Sequence, residues 1–172
     1  MNQIYTDIEY INLVNDIINN KNFIKIEESK HHGLSRLDHS LRVSYYSYKV
    51  TRFLKLDYRE TARAGLLHDF FTNDELTNRE KKTRAFRHHK KALVNARNNF
   101  YVSPKEEDII ISHMFPMVPQ HIPRYLESWL VSLVDKIVAI YEYKLSYGCI
   151  LREKITSYGF LIMLFCSRFN GL

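Results

Sequence analysis

Apolar residues recur every three or four positions along most of the chain, and short polar or proline-containing breaks separate these stretches. This spacing places apolar side chains on one face of a helix. It predicts a first amphipathic helix over residues 4–19 and a second over about 38–55. The run 23–26 is too short and isolated to predict a sheet. With only five Gly and four Pro, the chain also offers few of the turns that an all-β fold needs.

Three helix starts can be predicted from capping residues. Asp38 is placed to cap the second helix, and Asp57 is placed to cap the third. Ser103, followed by Pro and then by Glu106 three positions after the Ser, is typical of a helix start. In the third helix Gly65 follows an Ala, and such small residues allow a neighbouring helix to approach closely.

The rest of the chain continues the helical spacing. It predicts a helix over about 82–99, an irregular segment over 114–123 that contains three prolines, and a strongly apolar helix over 127–147. A last helix is predicted over 151–169. Because no repeat, linker or low-complexity tract divides the sequence, we predict one all-α domain over residues 1–172.

Histidines continue the predicted buried faces of three helices. His39 lies four positions before Val43, His88 lies four before Ala92 on a narrow face of small residues, and His113 directly follows a run of isoleucines and a serine. The apolar stripe predicted for the second helix consists of Val43, Tyr46, Val50, Phe53 and Leu54.

Two further positions place polar groups where apolar ones are expected. The third helix ends in the adjacent pair His68-Asp69, and the most apolar helix contains Asp135. Buried imidazoles and carboxylates are costly unless they are paired. A single His on an apolar face is more often a hydrogen-bonded core residue, but six such groups on five helices make that interpretation poor. A shared divalent metal centre would satisfy all of them. The six candidate metal ligands are His39, His68, Asp69, His88, His113 and Asp135.

The donor atoms restrict the kind of metal. Imidazole nitrogen with carboxylate oxygen and no thiolate suits Fe, Mn, Co, Ni or Zn, and argues against a structural cysteine zinc site. Without His88 and His113, the remaining four ligands make one metal site. Adding these two histidines would allow a second metal, with Asp69 as the bridge. The sequence leaves open whether one or two ions bind per chain.

Charge and compartment add weaker constraints. The net charge of +6 favours anionic partners, which include both phosphate esters and nucleic acid. The N-terminal residues lack the basic-then-apolar order of a signal peptide, and the most apolar stretch, 158–166, is too short to span a membrane. Cys149 and Cys166 show no metal-binding spacing, so free thiols are expected. We therefore expect a cytoplasmic protein without membrane contact.

Several short motifs resemble one family. His39 lies in "HSLRV", His68-Asp69 end "ARAGLLHDF", and Asp135 lies in "VSLVDKI". Together they resemble the H…HD…D signature of the HD-domain superfamily of metal-dependent phosphohydrolases. The motifs "HHKKALVNA" and "HMFP" resemble branches with two extra histidines and two metals, including some that cleave dinucleotide polyphosphates. The resemblance covers about residues 31–145 and implies a single-domain HD-type helical bundle, with the first and last predicted helices packed on it.

The resemblance implies hydrolysis of a phosphate ester or anhydride, of a nucleotide or dinucleotide, by metal-bound water. His68 and Asp69 would be the catalytic residues. A phosphate needs cations besides the metal, so Arg36 and Arg42 beside His39 and Lys136 beside Asp135 are candidate substrate-binding residues. Many dinuclear members have Lys three positions after the Asp of the HD pair, where this chain has Thr.

An alternative is a catalytically weak HD module that binds nucleotide or nucleic acid, for which the basic run 79–91 could provide a surface. We interpret most of that run as a solvated helix face. A purely structural bundle is the least favoured alternative, and oligomeric state is not predicted. The other histidines are interpreted as follows: His31, His32 and His89 as surface groups or groups behind the ligands, and His121 as a candidate pocket residue.

Overall fold

Residues 2–28, 30–31, 34–75 and 84–146 are described by the computed structural model. Most of this part of the chain is helical, which confirms the predicted all-α class. Short 3-10 turns occupy Lys25–Glu28 and Asn73–Glu75, and β1 (Lys30–His31) pairs antiparallel with β2 (Leu34–Ser35). The helices are α1 (Asn2–Thr6), α2 (Ile8–Ile18), α3 (Lys21–Ile24), α4 (Arg36–Phe53), α5 (Tyr58–Leu67), α6 (Arg84–Asn99), α7 (Pro104–Ser112) and α8 (126–146).

The predicted first helix is divided in two. Asp7 adopts an extended conformation between α1 and α2, and its carboxylate accepts a hydrogen bond from the Tyr10 backbone N–H. Asp strongly favours the N-cap position, so it starts a new helix here. The single helix predicted over 4–19 is therefore wrong in this detail.

Helix α4 starts earlier than predicted. Its N-cap is Ser35, whose hydroxyl accepts a hydrogen bond from the Asp38 backbone N–H, so Asp38 lies inside the first turn. An acidic residue there interacts favourably with the helix dipole. The earlier start places Arg36 within the helix. In contrast, the predicted caps Asp57 and Ser103 are confirmed, the latter in a capping box with Glu106.

The apolar stripe predicted for α4 is wrong beyond its first residue. Val43 is buried, but Tyr46 and Phe53 are 51% and 85% exposed. The buried side of the helix instead carries several small hydroxyl residues, which take little space between two helices. The buried residues of α4 include His39, Ser40, Val43, Ser44, Ser47, Tyr48 and Thr51.

Close contact between α4 and α5 depends on Gly65. A Cβ atom there would lie 3.0 Å from the Ser44 Cα atom, so the two backbones could not approach as closely with a larger residue. The Ser44 hydroxyl donates to the Ala62 carbonyl at 2.6 Å and accepts from the Tyr10 hydroxyl at 2.8 Å. The expected close approach at Gly65 is confirmed. It brings His39 and His68 together, with their ring centroids 5.4 Å apart.

Helix α8 buries only one side. Val131, Val134 and Val138 are buried, whereas Leu133 and Ile137 are more than half exposed. Asp135 follows Val134 on the inner side, which explains why a carboxylate occurs within an apolar stretch. In the described part of the chain, no helix combines the length and apolar character needed to cross a membrane.

The segment between α7 and α8 is irregular, as the three prolines predict. Several sequence-based predictions lie outside the described residues: the helix over 151–169, the two cysteines, His32, and the basic run before residue 84.

Candidate metal centre

The structure brings His39, His68 and Asp135 together where α4, α5 and α8 meet. The His39 Nε2 atom lies 3.0 Å from Asp135 Oδ1. The His68 Nε2 atom lies 3.6 Å from the same oxygen. All three side chains are largely removed from solvent, and among them only Asp135 is appreciably exposed, at 14%.

Asp69 joins this group to the two other candidate histidines. Its Oδ1 atom lies 3.3 Å from His88 Nε2 and 3.9 Å from His113 Nε2. The two histidine Nε2 atoms are 3.0 Å apart. All six residues that the sequence singled out as candidate ligands therefore lie in one cluster, contributed by or directly following five helices.

Helix geometry explains where His68 and His113 lie. Each directly follows the last residue of its helix, α5 or α7, as the C-cap. The last carbonyl groups of a helix have no partner within the helix. In both cases the histidine Nδ1 donates to the carbonyl three residues earlier, at 2.8 Å for His68 and 2.7 Å for His113. Each ring is thus held in place by the helix it ends.

These bonds determine which ring nitrogen is available. A carbonyl or carboxylate oxygen can only accept, so the Nδ1 atoms of His68 and His113 carry the proton. The Nδ1 atom of His39 likewise donates to the Glu142 Oε2 atom at 2.8 Å. When the ring is neutral, Nε2 then holds a lone pair, and all three Nε2 atoms face the cluster. This is the tautomer that binds metals through Nε2.

The cluster fits a divalent metal ion. The His68 Nε2 atom is buried and makes no hydrogen bond to any described residue. A lone pair on His39 Nε2 facing a carboxylate oxygen at 3.0 Å is unfavourable unless a proton or a cation lies between them. A metal ion would meet both requirements. Three sets of ligand atoms lie within 4.8 Å of one another: His39, His68 and Asp69; His68, His113 and Asp135; and Asp69, His88 and His113.

Without a metal, a proton lies between His39 Nε2 and Asp135 Oδ1. Burial lowers the pKa of His39, but hydrogen bonds with Asp135 and Glu142 outweigh it and raise the pKa to about 10. Burial would raise the pKa of Asp135, but its interactions with His39 and His68 hold that pKa well below its usual range. Burial, together with the charges of nearby histidines, lowers the pKa of His113. The cluster therefore combines the ionised carboxylate of Asp135 with the neutral imidazole of His113, and these are the forms of the two groups that bind metals.

Comparison with known protein families agrees with this geometry. The HD domain family matches residues 36–140. The chain belongs to the HD domain family. That span includes all six residues of the cluster, and HD domains form a superfamily of metal-dependent phosphohydrolases. The resemblance seen in the sequence motifs is thus confirmed. No curated protein and no solved structure matches the chain significantly.

Glu142, just beyond the matched HD span, is a buried partner of His39 that the sequence analysis missed. It is fully buried, accepts a hydrogen bond from His39 Nδ1, and accepts another from the Arg42 guanidinium. Glu142 follows Asp135 by two helical turns and so lies on the same face of α8. This spacing from Asp135 was the sequence signal that could have identified Glu142. Arg42, a predicted substrate-binding residue, is held by this carboxylate.

The two other predicted substrate-binding cations also have protein partners. Arg36 is fully buried, stacks on the Phe71 ring at 3.8 Å, and donates to the Phe71 carbonyl and the Asn73 side chain. Its Nε atom is 3.9 Å from Asp69 Oδ2. Lys136 donates to the His113 carbonyl at 2.9 Å and to Ser132. Arg36 and Lys136 thus hold in place the segments that carry Asp69 and His113.

Two remaining histidines lie beside the cluster. His89 is fully buried, so the part of its interpretation that placed it on the surface is wrong. Neither of its ring nitrogens makes a hydrogen bond to a described residue. Its ring centroid is 5.2 Å from that of His121. Burial, followed by the charges of His88, His121 and Lys90, lowers the pKa of His89 to about 4, so its ring is neutral at neutral pH.

The loop after Asp69 differs from the many dinuclear members that carry Lys there. Thr72 occupies the position three residues after Asp69, and its backbone N–H donates to the Glu75 carboxylate at 3.2 Å. An arginine from α4, Arg36, approaches Asp69 instead.

Proposed function

We propose that this HD domain protein binds divalent metal through the six clustered residues and hydrolyses a phosphate ester or anhydride. One observation carries the proposal. Three histidines are fixed by their Nδ1 hydrogen bonds so that their Nε2 atoms converge beside the carboxylates of Asp69 and Asp135. The ligands would be His39, His68, Asp69, His88, His113 and Asp135.

When bound, a divalent ion from the series Fe, Mn, Co, Ni and Zn lowers the pKa of a water ligand and stabilises charge on phosphate oxygens. The residues of the chain would position the ion for this reaction. His68 and Asp69, adjacent at the end of α5, are the proposed catalytic residues because each belongs to two of the three ligand sets and would hold the metal. Burial of His39 and His68 keeps bulk water away from them, whereas the partly exposed Asp135 leaves one side open.

Two of the three ligand sets support a pair of metal ions. The set His39, His68 and Asp69 and the set Asp69, His88 and His113 share only Asp69. A carboxylate has two oxygens and can bridge two ions. We therefore propose a dinuclear centre with Asp69 as the bridge.

For the cations predicted to bind substrate we propose a positioning role. Arg42 holds Glu142 behind His39, Lys136 holds the carbonyl of His113, and Arg36 holds the loop after Asp69. Each acts through a ligand rather than through the substrate. The proposed substrate remains a phosphorylated small molecule of the nucleotide class, consistent with the net charge of +6.

The test uses His68→Ala and Asp69→Ala separately, with Asp74→Ala, an exposed carboxylate in the same loop, as the control. Metal content is measured by elemental analysis, and hydrolysis of phenyl phosphate and of nucleotides is measured with each metal. We expect both cluster variants to lose metal and hydrolysis while circular dichroism shows a folded protein. The control should keep both properties.

A folded cluster variant that keeps full metal content and full hydrolysis would contradict the proposal. Wild-type protein that binds nucleotide or nucleic acid but hydrolyses nothing with any metal would instead support the alternative, an HD module that only binds. A steep salt dependence of nucleic-acid binding would accompany that result.

A further inference from the structure

A groove of about 760 Å³ runs along α6 next to the cluster of six candidate ligands. One wall is α6, through Arg87, Lys90 and Lys91, and the other is the irregular segment after α7, through Met117 and His121. Its volume falls within the range of small-molecule binding sites. The groove lies outside the cluster of six candidate ligands.

The charges in the groove have no acidic partner among the described residues. Arg87, Lys90 and Lys91 make no ion pair with any residue in the described part of the chain. On the same helix, Arg97 is held by two hydrogen bonds from its guanidinium to Glu107, at 2.7 and 2.6 Å. The described residues that line the groove include no Asp or Glu. Three cations that face one cavity, with no counter-charge from the described lining residues, favour an anionic ligand.

Apolar side chains line the groove between these cations. Phe86, Val94 and Met117 are 56%, 49% and 51% exposed, although each is large and apolar. Burying such surface against a flat ring is favourable, and the cations would hold negative groups beside it. The matching ligand therefore has both a planar apolar part and negative charge.

The groove and the cluster lie against neighbouring faces of helix α6. Lys91 follows His88 by three residues, so the two lie about 60° apart around the helix axis. On the other wall, the His121 ring contacts the His89 ring, whose centroid is 6.1 Å from that of His88. A phosphate at the cluster and an anion in the groove would thus bind side by side.

We propose that this groove determines substrate specificity, and the proposal rests on the hydrolase function proposed above. The groove binds the part of the substrate beyond the reacting phosphate, which carries at least one further negative charge and a planar ring. Arg87, Lys90 and Lys91 bind the charge, and Phe86 and Met117 contact the ring. Small phosphomonoesters without a second charge would leave these cations unused.

The experiment measures inhibition of phenyl phosphate hydrolysis by ATP, by tripolyphosphate and by adenosine, at a fixed concentration of free metal. We expect ATP to inhibit best because it combines the charge and the ring. The double variant Lys90→Gln/Lys91→Gln should raise the inhibition constant of ATP at least about tenfold, equivalent to about 1.4 kcal/mol. It should raise the KM of phenyl phosphate by a smaller factor.

Two further variants separate the contributions. Phe86→Ala should weaken ATP more than tripolyphosphate, because only ATP has a ring. The control is Lys21→Gln, which replaces an exposed lysine on α3 that does not line the groove. It should leave both constants unchanged.

If the double variant and the control give the same ATP inhibition constant while phenyl phosphate is still hydrolysed, the groove assignment is wrong and the hydrolase function stands. If the wild type hydrolyses nothing, the hydrolase function fails, and calorimetric binding of ATP tests the groove by itself. Weaker binding to the double variant would then support the groove as an anion site. Binding of a single-stranded RNA with no binding of ATP would overturn the proposal.

Discussion

The charged and polar side chains on the two sides of helix α6 differ in whether other protein groups hold them. On the side of His88, imidazoles and carboxylates are buried and are held by specific protein partners, such as Gly65 behind His68 and Glu142 behind His39. On the groove side, Lys90 and Lys91 have no described ion-pair partner. A metal ion requires ligands in a fixed geometry, whereas long cationic side chains can adjust to a larger ligand. The contrast suits a reaction centre beside a specificity site.

The same contrast applies to the cations that the sequence analysis singled out. Arg36 and Arg42 lie close to His39 in sequence, yet both are occupied by protein groups. Arg87 lies beside His88 and faces a cavity instead. Proximity in sequence to a candidate ligand therefore does not by itself leave a cation available for a substrate. What matters is whether the protein has already paired the charge.

The largest effect is expected from removing the charge of the proposed bridging carboxylate, with Asp69→Asn. The amide keeps the shape of the side chain but cannot bridge two cations, so metal content should fall. Hydrolysis should drop more than about 100-fold, which is more than the loss expected from removing a residue that only hydrogen-bonds to a ligand. Elemental analysis and initial rates measure both. Asp74→Asn is the control. Unchanged metal content in the Asp69→Asn variant would show that the centre does not depend on this carboxylate.

A smaller effect is expected from Glu142→Gln. The amide cannot hold the imidazole of His39 as a carboxylate does, so metal affinity should fall about 10–100-fold while the fold persists. A competition titration with a chelator measures the affinity. Glu107→Gln removes a similar ion pair with Arg97 at an exposed site and should leave metal affinity unchanged. Equal affinities for the two variants would refute a role for Glu142.

Gly65→Ala tests the packing that supports the cluster side. Its Cβ atom would lie 3.0 Å from the Ser44 Cα atom, so α4 and α5 must separate. We expect a loss of about 1–3 kcal/mol in the free energy of unfolding, measured by urea denaturation of the metal-free protein. Arg59→Ala, on the exposed side of α5, is the control. A variant as stable as the wild type would show that this contact can relax freely.

The smallest effect is expected from salt. Exposed charges are screened at high ionic strength, whereas buried ones are screened much less. Raising the salt concentration about tenfold, from roughly 0.05 M, should therefore weaken ATP inhibition several-fold and leave metal content unchanged. Loss of metal with salt, or no change in ATP inhibition, would break the distinction between the two regions.

The sequence predicted the fold class and the residues of the cluster better than it predicted their surroundings. His39 was placed on the buried face of α4, although Tyr46 and Phe53, assigned to the same face, are exposed. Periodicity favoured large apolar residues there, but the close contact at Gly65 selects small hydroxyls. Glu142 was missed because a single glutamate in a helix is ordinarily exposed. The burial of Arg36 depends on a contact with Phe71 that no local pattern shows.

The central claim is that the six clustered residues form a metal centre. Elemental analysis tests it most directly: the protein is loaded separately with Mn, Fe, Co, Ni and Zn, dialysed, and assayed beside the His68→Ala variant. We predict at least one bound ion per chain for the wild type with one or more of these metals, two if Asp69 is a bridge, and a clear loss in the variant. Metal content no higher in the wild type than in the folded variant, for every metal, would contradict it.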